Sequence, residues 1–117
     1  MPTVYQETLP ESCLLLLTPA ARYDHGRDLA RSLRLASRSG KSAVWVDCGL
    51  MDTLPAEAVQ LLWNFHHRLQ ARHMKLVVVH ASERVRRGLL DRQHGPSLCF
   101  APTLFDAAWH TRQHEPA

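Results

Sequence analysis

A chain of 117 residues has material for one hydrophobic core and not for two, so a single domain is expected across 1–117, with its core at about 3–113 and a frayed tail at 114–117. With 45% hydrophobic and 21% charged residues, and no uncharged apolar run longer than 13–17, the composition is that of a globular protein and excludes a transmembrane helix. A formal net charge of +3 favours an acidic partner and falls short of a nucleic-acid signature.

The opening residues Met1-Pro2-Thr3-Val4-Tyr5 have neither the basic start nor the apolar core of a signal peptide, which predicts a cytoplasmic protein. Residues 3–8 alternate weakly, Leu9-Pro10-Glu11-Ser12 has turn chemistry, and Cys13-Leu14-Leu15-Leu16-Leu17-Thr18 follows as a buried run stopped by Pro19. This reads as a hairpin whose second arm is central in a sheet, although four leucines alone also suit a helix. From Asp24, as N-cap, to Ser39 the pattern is helical, with Leu29, Leu33 and Ala36 on one face and Gly40 as the stop. Arg27, Arg31, Arg34 and Arg38 form a second, cationic stripe, either a solvated face or a surface for an acidic partner.

An apolar run, Ser42-Ala43-Val44-Trp45-Val46-Asp47-Cys48, precedes a long amphipathic segment over 55–73, and Lys75-Leu76-Val77-Val78-Val79-His80 follows it. Two β-type runs around one helical pattern predict a βαβ crossover with parallel strands. Pro55 suits the first helical turn, with Thr53 or Leu54 as cap, and Ala58, Leu61, Leu62, Phe65 and Leu69 share the inward face, broadened by Val59 and Trp63. Ser82-Glu83 opens a third helix to about Gln93, with Val85, Leu89 and Leu90 inward and Arg84, Arg86, Arg87 and Arg92 outward, ended by Gly95-Pro96. A short strand at 97–101 and a terminal helix at 104–113, with Phe105, Ala108 and Trp109 available for packing, complete a ββαβαβαβα order. That order belongs to the α/β class, with helices against one mixed sheet of about five strands. Cys13, Cys48 and Cys99 each lie in an apolar run and read as reduced core residues.

Position for position, the βαβ unit resembles the centre of the STAS domain, the family of anti-sigma factor antagonists. There a strand ending in Asp leads, eight residues later, into Asp-Ser-Ser-Gly, whose second Ser is phosphorylated. Counting eight from Asp47 gives Pro55-Ala56-Glu57-Ala58, so Glu57 stands at the phosphoserine position. The resemblance extends over about 13–109. Leu17-Thr18-Pro19-Ala20-Ala21-Arg22 stands where the family has an apolar residue and then Gly-Glu-Leu-Asp, without its Gly and acidic residues. Leu76-Val77-Val78-Val79 with 82–90 matches the family's Val-Val-x-x-Ser-x-x-Val-x-x-x-Leu, and Leu104-Phe105-Asp106-Ala107-Ala108-Trp109 looks like its final helix.

The resemblance implies a STAS-like single domain with helices packed mainly on one sheet face. It also implies a regulatory logic in which a kinase phosphorylates the serine and the added charge blocks an anti-sigma partner. A phosphate at a helix start lies beside exposed N–H groups and the positive end of the dipole. Glu57 fits that niche with one negative charge, against roughly −1.5 to −2 for phosphoserine, and no kinase can switch it. The structural alternative is that Glu57 serves the helix itself, as a dipole partner or half of a capping box. Thr53 is a hydroxyl four residues upstream, open to a shifted phosphosite, and Pro55 and Ala56 replace the motif's Asp and first Ser.

Other chemistries find little support. His66 and His73, and His110 and His114, lack an accompanying acidic or thiolate ligand in a recognised spacing, so no metal is expected. Ser82 and Ser97 are explained by capping and loop geometry, and no nucleophile elbow or phosphate-binding glycine loop is present, so neither catalysis nor a cofactor is expected. The arginines have no interleaved aromatic platform, which argues against nucleic acid. The expectation is a non-enzymatic interaction module that binds an anti-sigma factor or serine-kinase-type protein. Its surface would be Thr53, Leu54, Pro55, Ala56, Glu57 and Ala58, with electrostatic contacts from Arg27, Arg31, Arg34, Arg86 and Arg87. Two alternatives stay open: an accessory STAS subunit of an ABC-type membrane transport complex docking on its ATPase, and a dimerising scaffold domain.

Overall fold

The computed structural model describes residues 4–19, 26–91 and 98–112. Five strands, β1 (Val4–Thr8), β2 (Ser12–Leu17), β3 (Ala43–Asp47), β4 (Lys75–Val79) and β5 (Cys99–Ala101), form one sheet in the order β1-β2-β3-β4-β5. Only β1 runs antiparallel to its neighbour; β2 to β5 are mutually parallel. Four helices connect or cover them: α1 (Arg27–Ser37), α2 (Ala56–Ala71), α3 (Glu83–Leu90) and α4 (Leu104–Arg112). The mixed sheet, the element order and the crossover helix are as the residue patterns predict.

The central strands are unbroken apolar runs because both faces are covered, as parallel sheets require. On the front face, Cys13, Leu15, Leu17, Val44, Val46, Leu76 and Val78 pack beneath α1, α2 and α3, which contribute Leu29, Leu33, Leu62, Leu69, Val85 and Leu89. On the back, Ala43, Trp45, Val77, Val79 and Ala101 form a smaller cluster with Ala107 of α4. Trp45 Nε1 donates to Thr111 Oγ1 at 2.9 Å, and Thr111 Oγ1 donates to the Ala107 carbonyl at 2.8 Å, so the buried indole is satisfied by the helix that covers it. Arg112 reaches Glu11 in the β1–β2 turn at 3.3 Å, which fixes the C-terminal end of α4 over the hairpin.

Several element ends differ from expectation. Gly26, at φ 78, is the N-cap of α1, which begins at Arg27; the expected cap Asp24 lies outside the described residues. In α2 the N-cap is Pro55 itself, at φ −61 and ψ 155, rather than Thr53 or Leu54. That helix ends at Ala71, short of His73, because His73 takes φ 59 and closes a Schellman motif: His73 N–H donates to the Gln70 carbonyl and Met74 N–H to the Leu69 carbonyl. Ser82 caps α3 as predicted, accepting from Val85 N–H at 3.2 Å, and α3 stops at Leu90, which is exposed rather than inward. Arg92, Gln93, Gly95, Pro96, Ser97 and His114 lie outside the described residues. Phe105 and Trp109 do not enter the core: they are 79% and 52% exposed, because Ala107 and Thr111 take the inward positions of α4.

Candidate functional site

In a parallel α/β sheet, side chains at the carboxyl ends of the strands and the loops that follow gather at one edge. Here that edge carries the 48–55 loop, the start of α1, the start of α2 and the 80–82 turn into α3. The loop is held from beneath. Cys48 N–H continues the ladder to the Val79 carbonyl at 2.9 Å, Met51 N–H donates to the Cys48 carbonyl at 3.0 Å, and Asp47 Oδ1 accepts from Gly49 N–H at 2.9 Å. The same oxygen lies 3.1 Å from His80 Nδ1. Leu54 and Met51 pack inward on the front core, while Leu50 is 57% exposed at the rim.

Five of the six residues predicted as a surface at the start of α2 are at least partly exposed, whereas Ala58 turns inward and packs in the front core. Thr53, Pro55, Ala56 and Glu57 are exposed, Leu54 is half-buried and Ala58 is buried. Pro55 offers no side-chain cap, and the helix ladder begins with Val59 N–H to the Pro55 carbonyl at 3.1 Å, so the first-turn N–H groups of residues 56–58 point out of the helix end. Glu57 is the acidic residue of that turn. It occupies the second helical position behind a proline that has no N–H to receive it, so a reciprocal capping box is excluded and the dipole role remains.

A second helix start lies against this one. A Cβ on Gly26 would lie 3.0 Å from Leu61 Cδ1 and 3.7 Å from Glu57 Cβ, so the start of α1 sits close against the first two turns of α2 and a larger residue there would have to push the Leu61 side chain aside. The left-handed φ of Gly26 favours a glycine there. Around this point the arginines divide. Arg27, Arg31, Arg34 and Arg38 all lie exposed on α1, with Arg31 3.5 Å from Asp28. On α3, Arg86 stacks over Phe100 at 5.1 Å, Arg87 pairs with Glu83 at 3.1 Å, and Arg84 crosses to Asp52 in the loop at 2.9 Å. Beside them a shallow cleft of about 260 Å³, lined by Ala81, Arg86, Phe100, Ala101 and Pro102, opens at the same edge of the sheet.

Residue reasoning from sequence placed 53–58 and the arginines here and missed Asp47, His80, Asp52 and Leu50 as members of the same edge. Asp47 and His80 each follow an apolar run at its C-terminal end, the one signal that marked them. The cysteines take no part: Cys13 and Cys48 are buried, Cys99 is half-buried, and burial together with the neighbouring Asp47 charge pushes the Cys48 thiol up to about 12. Among the described residues no group of three His, Cys, Asp or Glu side chains could hold a metal ion, and His66 is buried in α2 while His73 is exposed. No helix among the described residues is long and apolar enough to cross a membrane.

No protein-family model matches the chain, and no curated protein matches it by sequence. Solved structures do. Moorella thermoacetica RsbS, in a form with a serine-to-glutamate substitution, superposes with a TM-score of 0.80 at 8% identity, covering 94% of this chain and 95% of that one. The chain has the STAS fold. An anti-sigma-factor antagonist (STAS) domain protein from Planctomyces limnophilus gives a TM-score of 0.77 at 13% identity over 95% of this chain and 98% of that one. A Thermotoga maritima protein proposed as an anti-sigma factor antagonist gives 0.72 at 13% identity over 93% and 94%. The STAS fold thus accounts for nearly the whole length of the chain, with the 53–58 segment at the start of its crossover helix.

Proposed function

We propose that this STAS-fold domain is a non-catalytic interaction module of the anti-sigma factor antagonist kind, and that the start of α2 is its docking surface. The observation that carries the reading is Glu57: an exposed carboxylate in the first turn of the crossover helix, at the position matching the phosphoserine of the STAS motif. Its charge there is permanent. A partner that reads this helix start, of the anti-sigma factor or serine-kinase type, meets one fixed electrostatic state instead of a phosphorylation switch. Exposed Leu50 and the half-buried Leu54 give the surface an apolar centre, and the exposed Arg27, Arg31 and Arg34 on α1 with Arg86 and Arg87 on α3 add positive charge on the other two front helices, suited to an acidic partner.

Affinity capture from the source cell, followed by titration of the captured partner, tests this. An anti-sigma or serine-kinase-type protein is the expected catch, whereas a transporter ATPase would move the assignment to the transport-complex alternative. If the Glu57 charge acts as a fixed block, Glu57→Ser and Glu57→Ala strengthen binding by about tenfold, the scale of one close charge repulsion at an interface. Equal affinity of the three proteins removes the mimicry while leaving the surface in place.

A further inference from the structure

The outer face of α1 carries four like charges in one row. At about 100° per residue, Arg27, Arg31, Arg34 and Arg38 fall within an arc of about 60°, opposite the buried face made by Leu29, Ser32, Leu33 and Ala36. The row runs from the first residue of the helix to its C-cap, a rise of about 16 Å, and all four residues are exposed. Neighbours along it stand four, three and four residues apart, the spacings at which like charges repel on a helix surface. The chain does little to relieve that repulsion. Asp28, the one acidic residue of α1, is turned inward with its side chain 12% exposed, accepts from Val4 N–H at 3.0 Å and stands 3.5 Å from Arg31. Among the described residues, no carboxylate comes within ion-pair distance of Arg34 or Arg38.

We infer that this row is a docking seam for an α-helix of a protein partner, one that carries Asp or Glu at the same four-three-four spacing. The seam rests on the acidic-partner reading above, to which it adds Arg38 and the partner's structural element, and it involves neither Glu57 nor the 53–58 segment. Two packed helices meet along a line on which residues recur every three and four positions, so a facing helix with that repeat sets one carboxylate against each guanidinium. All four positions are arginine, whose planar fork accepts a carboxylate in two parallel hydrogen bonds as a lysine cannot. Leu35, 52% exposed, lies four residues after Arg31 and three before Arg38, and gives the seam an apolar contact that a phosphate backbone has no group to match. Charge elsewhere on the chain points the same way. With the four arginines set aside, ten basic and eleven acidic side chains remain, a balance of −1, so the net positive charge of the chain resides in this row. An extended polyanion, whether a nucleic-acid duplex or an anionic bilayer, rewards positive charge spread well beyond one helix face. A single acidic helix covers the row and nothing more.

Fluorescence anisotropy on the full chain tests this, with labelled alanine-rich helical peptides of about 20 residues as probes. One carries four glutamates at the four-three-four spacing with a leucine beside them; the other has the same composition with its glutamates spread around the helix. The matched peptide is expected to bind about tenfold more tightly than the scrambled one, and to weaken between about 50 and 200 mM salt. The double variant Arg34→Glu, Arg38→Glu should lose that preference and bind a peptide with lysines in place of the glutamates, a reversal that a merely structural role for these arginines would not produce. Its circular dichroism and unfolding midpoint should not fall below wild type, since it breaks no ion pair among the described residues and removes like-charge contacts. Glu57→Ala should bind the matched peptide with wild-type affinity. Capture of a partner at 53–58 by a chain that does not distinguish the two peptides would therefore sink the seam and leave the α2 surface standing. Equal binding of the two peptides, no effect of the double substitution, or tighter binding of duplex DNA or phosphatidylserine vesicles than of the matched peptide would overturn the proposal.

Discussion

Asp47 and His80 join the ends of two neighbouring parallel strands: Asp47 Oδ1, at the last residue of β3, stands 3.1 Å from His80 Nδ1, one residue beyond β4. His80 holds φ 58, in the left-handed region, and its own N–H donates to the Ala101 carbonyl at 3.1 Å, so the β4 exit is tied to both neighbours at once. Because the same Asp47 oxygen accepts from Gly49 N–H, this pair sets where the loop to α2 departs from the sheet.

Replacing Asp47 by Ala removes the acceptor for both groups and should lower stability by about 1–2 kcal/mol in urea unfolding. Asp47→Asn retains an oxygen for Gly49 and should cost less. Amide exchange at Gly49 and Met51 should accelerate in the Ala variant before exchange in the core strands does.

Gly26→Ala combines a left-handed backbone with a Cβ 3.0 Å from Leu61 Cδ1. A loss of about 1–2 kcal/mol from the backbone alone is expected, with further crowding against Leu61. In the double variant with Leu61→Ala the crowding disappears and the backbone cost stays, so the two substitutions should be non-additive when their unfolding midpoints are compared.

Thr111→Val leaves the Trp45 indole N–H buried without its acceptor, a loss of about 1–3 kcal/mol. Trp45→Phe in the same background removes the orphaned donor and should recover part of that loss. Thermal unfolding followed by tryptophan fluorescence reads both effects.

Burial raises the Cys48 thiol from its ordinary 9.0 to about 12 and also raises those of Cys13 and Cys99. The sign follows from proton counting. Above pH 9 the unfolded chain releases thiol protons that the native chain still holds, so the unfolded state binds fewer protons and stability falls as pH rises. The stabilising difference is whole below about pH 9 and is lost toward pH 12, a decline that Cys48→Ala should reduce in urea titrations at stepped pH. Native alkylation at pH 8 should label Cys99, which is half-buried, ahead of Cys48.

Much of the fold is legible because its signals are local. The runs 43–47 and 75–79 carry no charge between their first and last residues, so they read as strands buried on both faces, and the 3.6-residue spacing of α2 and the Ser82 cap declare their helices. The position of 53–58 at the start of α2 is legible for the same reason: the segment is continuous in the chain. What stays hidden is set by distant pairings. His66 reads as a surface or ligand residue until α2 is seen buried on that side, and Thr111 reads as a polar helix residue until Trp45, 66 positions away, supplies its partner. Asp47 and His80 are separated by 33 positions. Phe105 and Trp109 mislead in the other direction, since apolar side chains on a short helix suggest the core and here lie outside it.

The bonds that fasten α4, from Thr111 to Trp45 and from Arg112 to Glu11, reach back across 66 and 101 positions of the chain. During synthesis, therefore, the hairpin and the crossover helix can form early, while Trp45 and its valine neighbours stay uncovered until α4 has emerged from the ribosome. A nascent chain stalled before that point displays a wet tryptophan-bearing sheet, which is the surface a chaperone would hold.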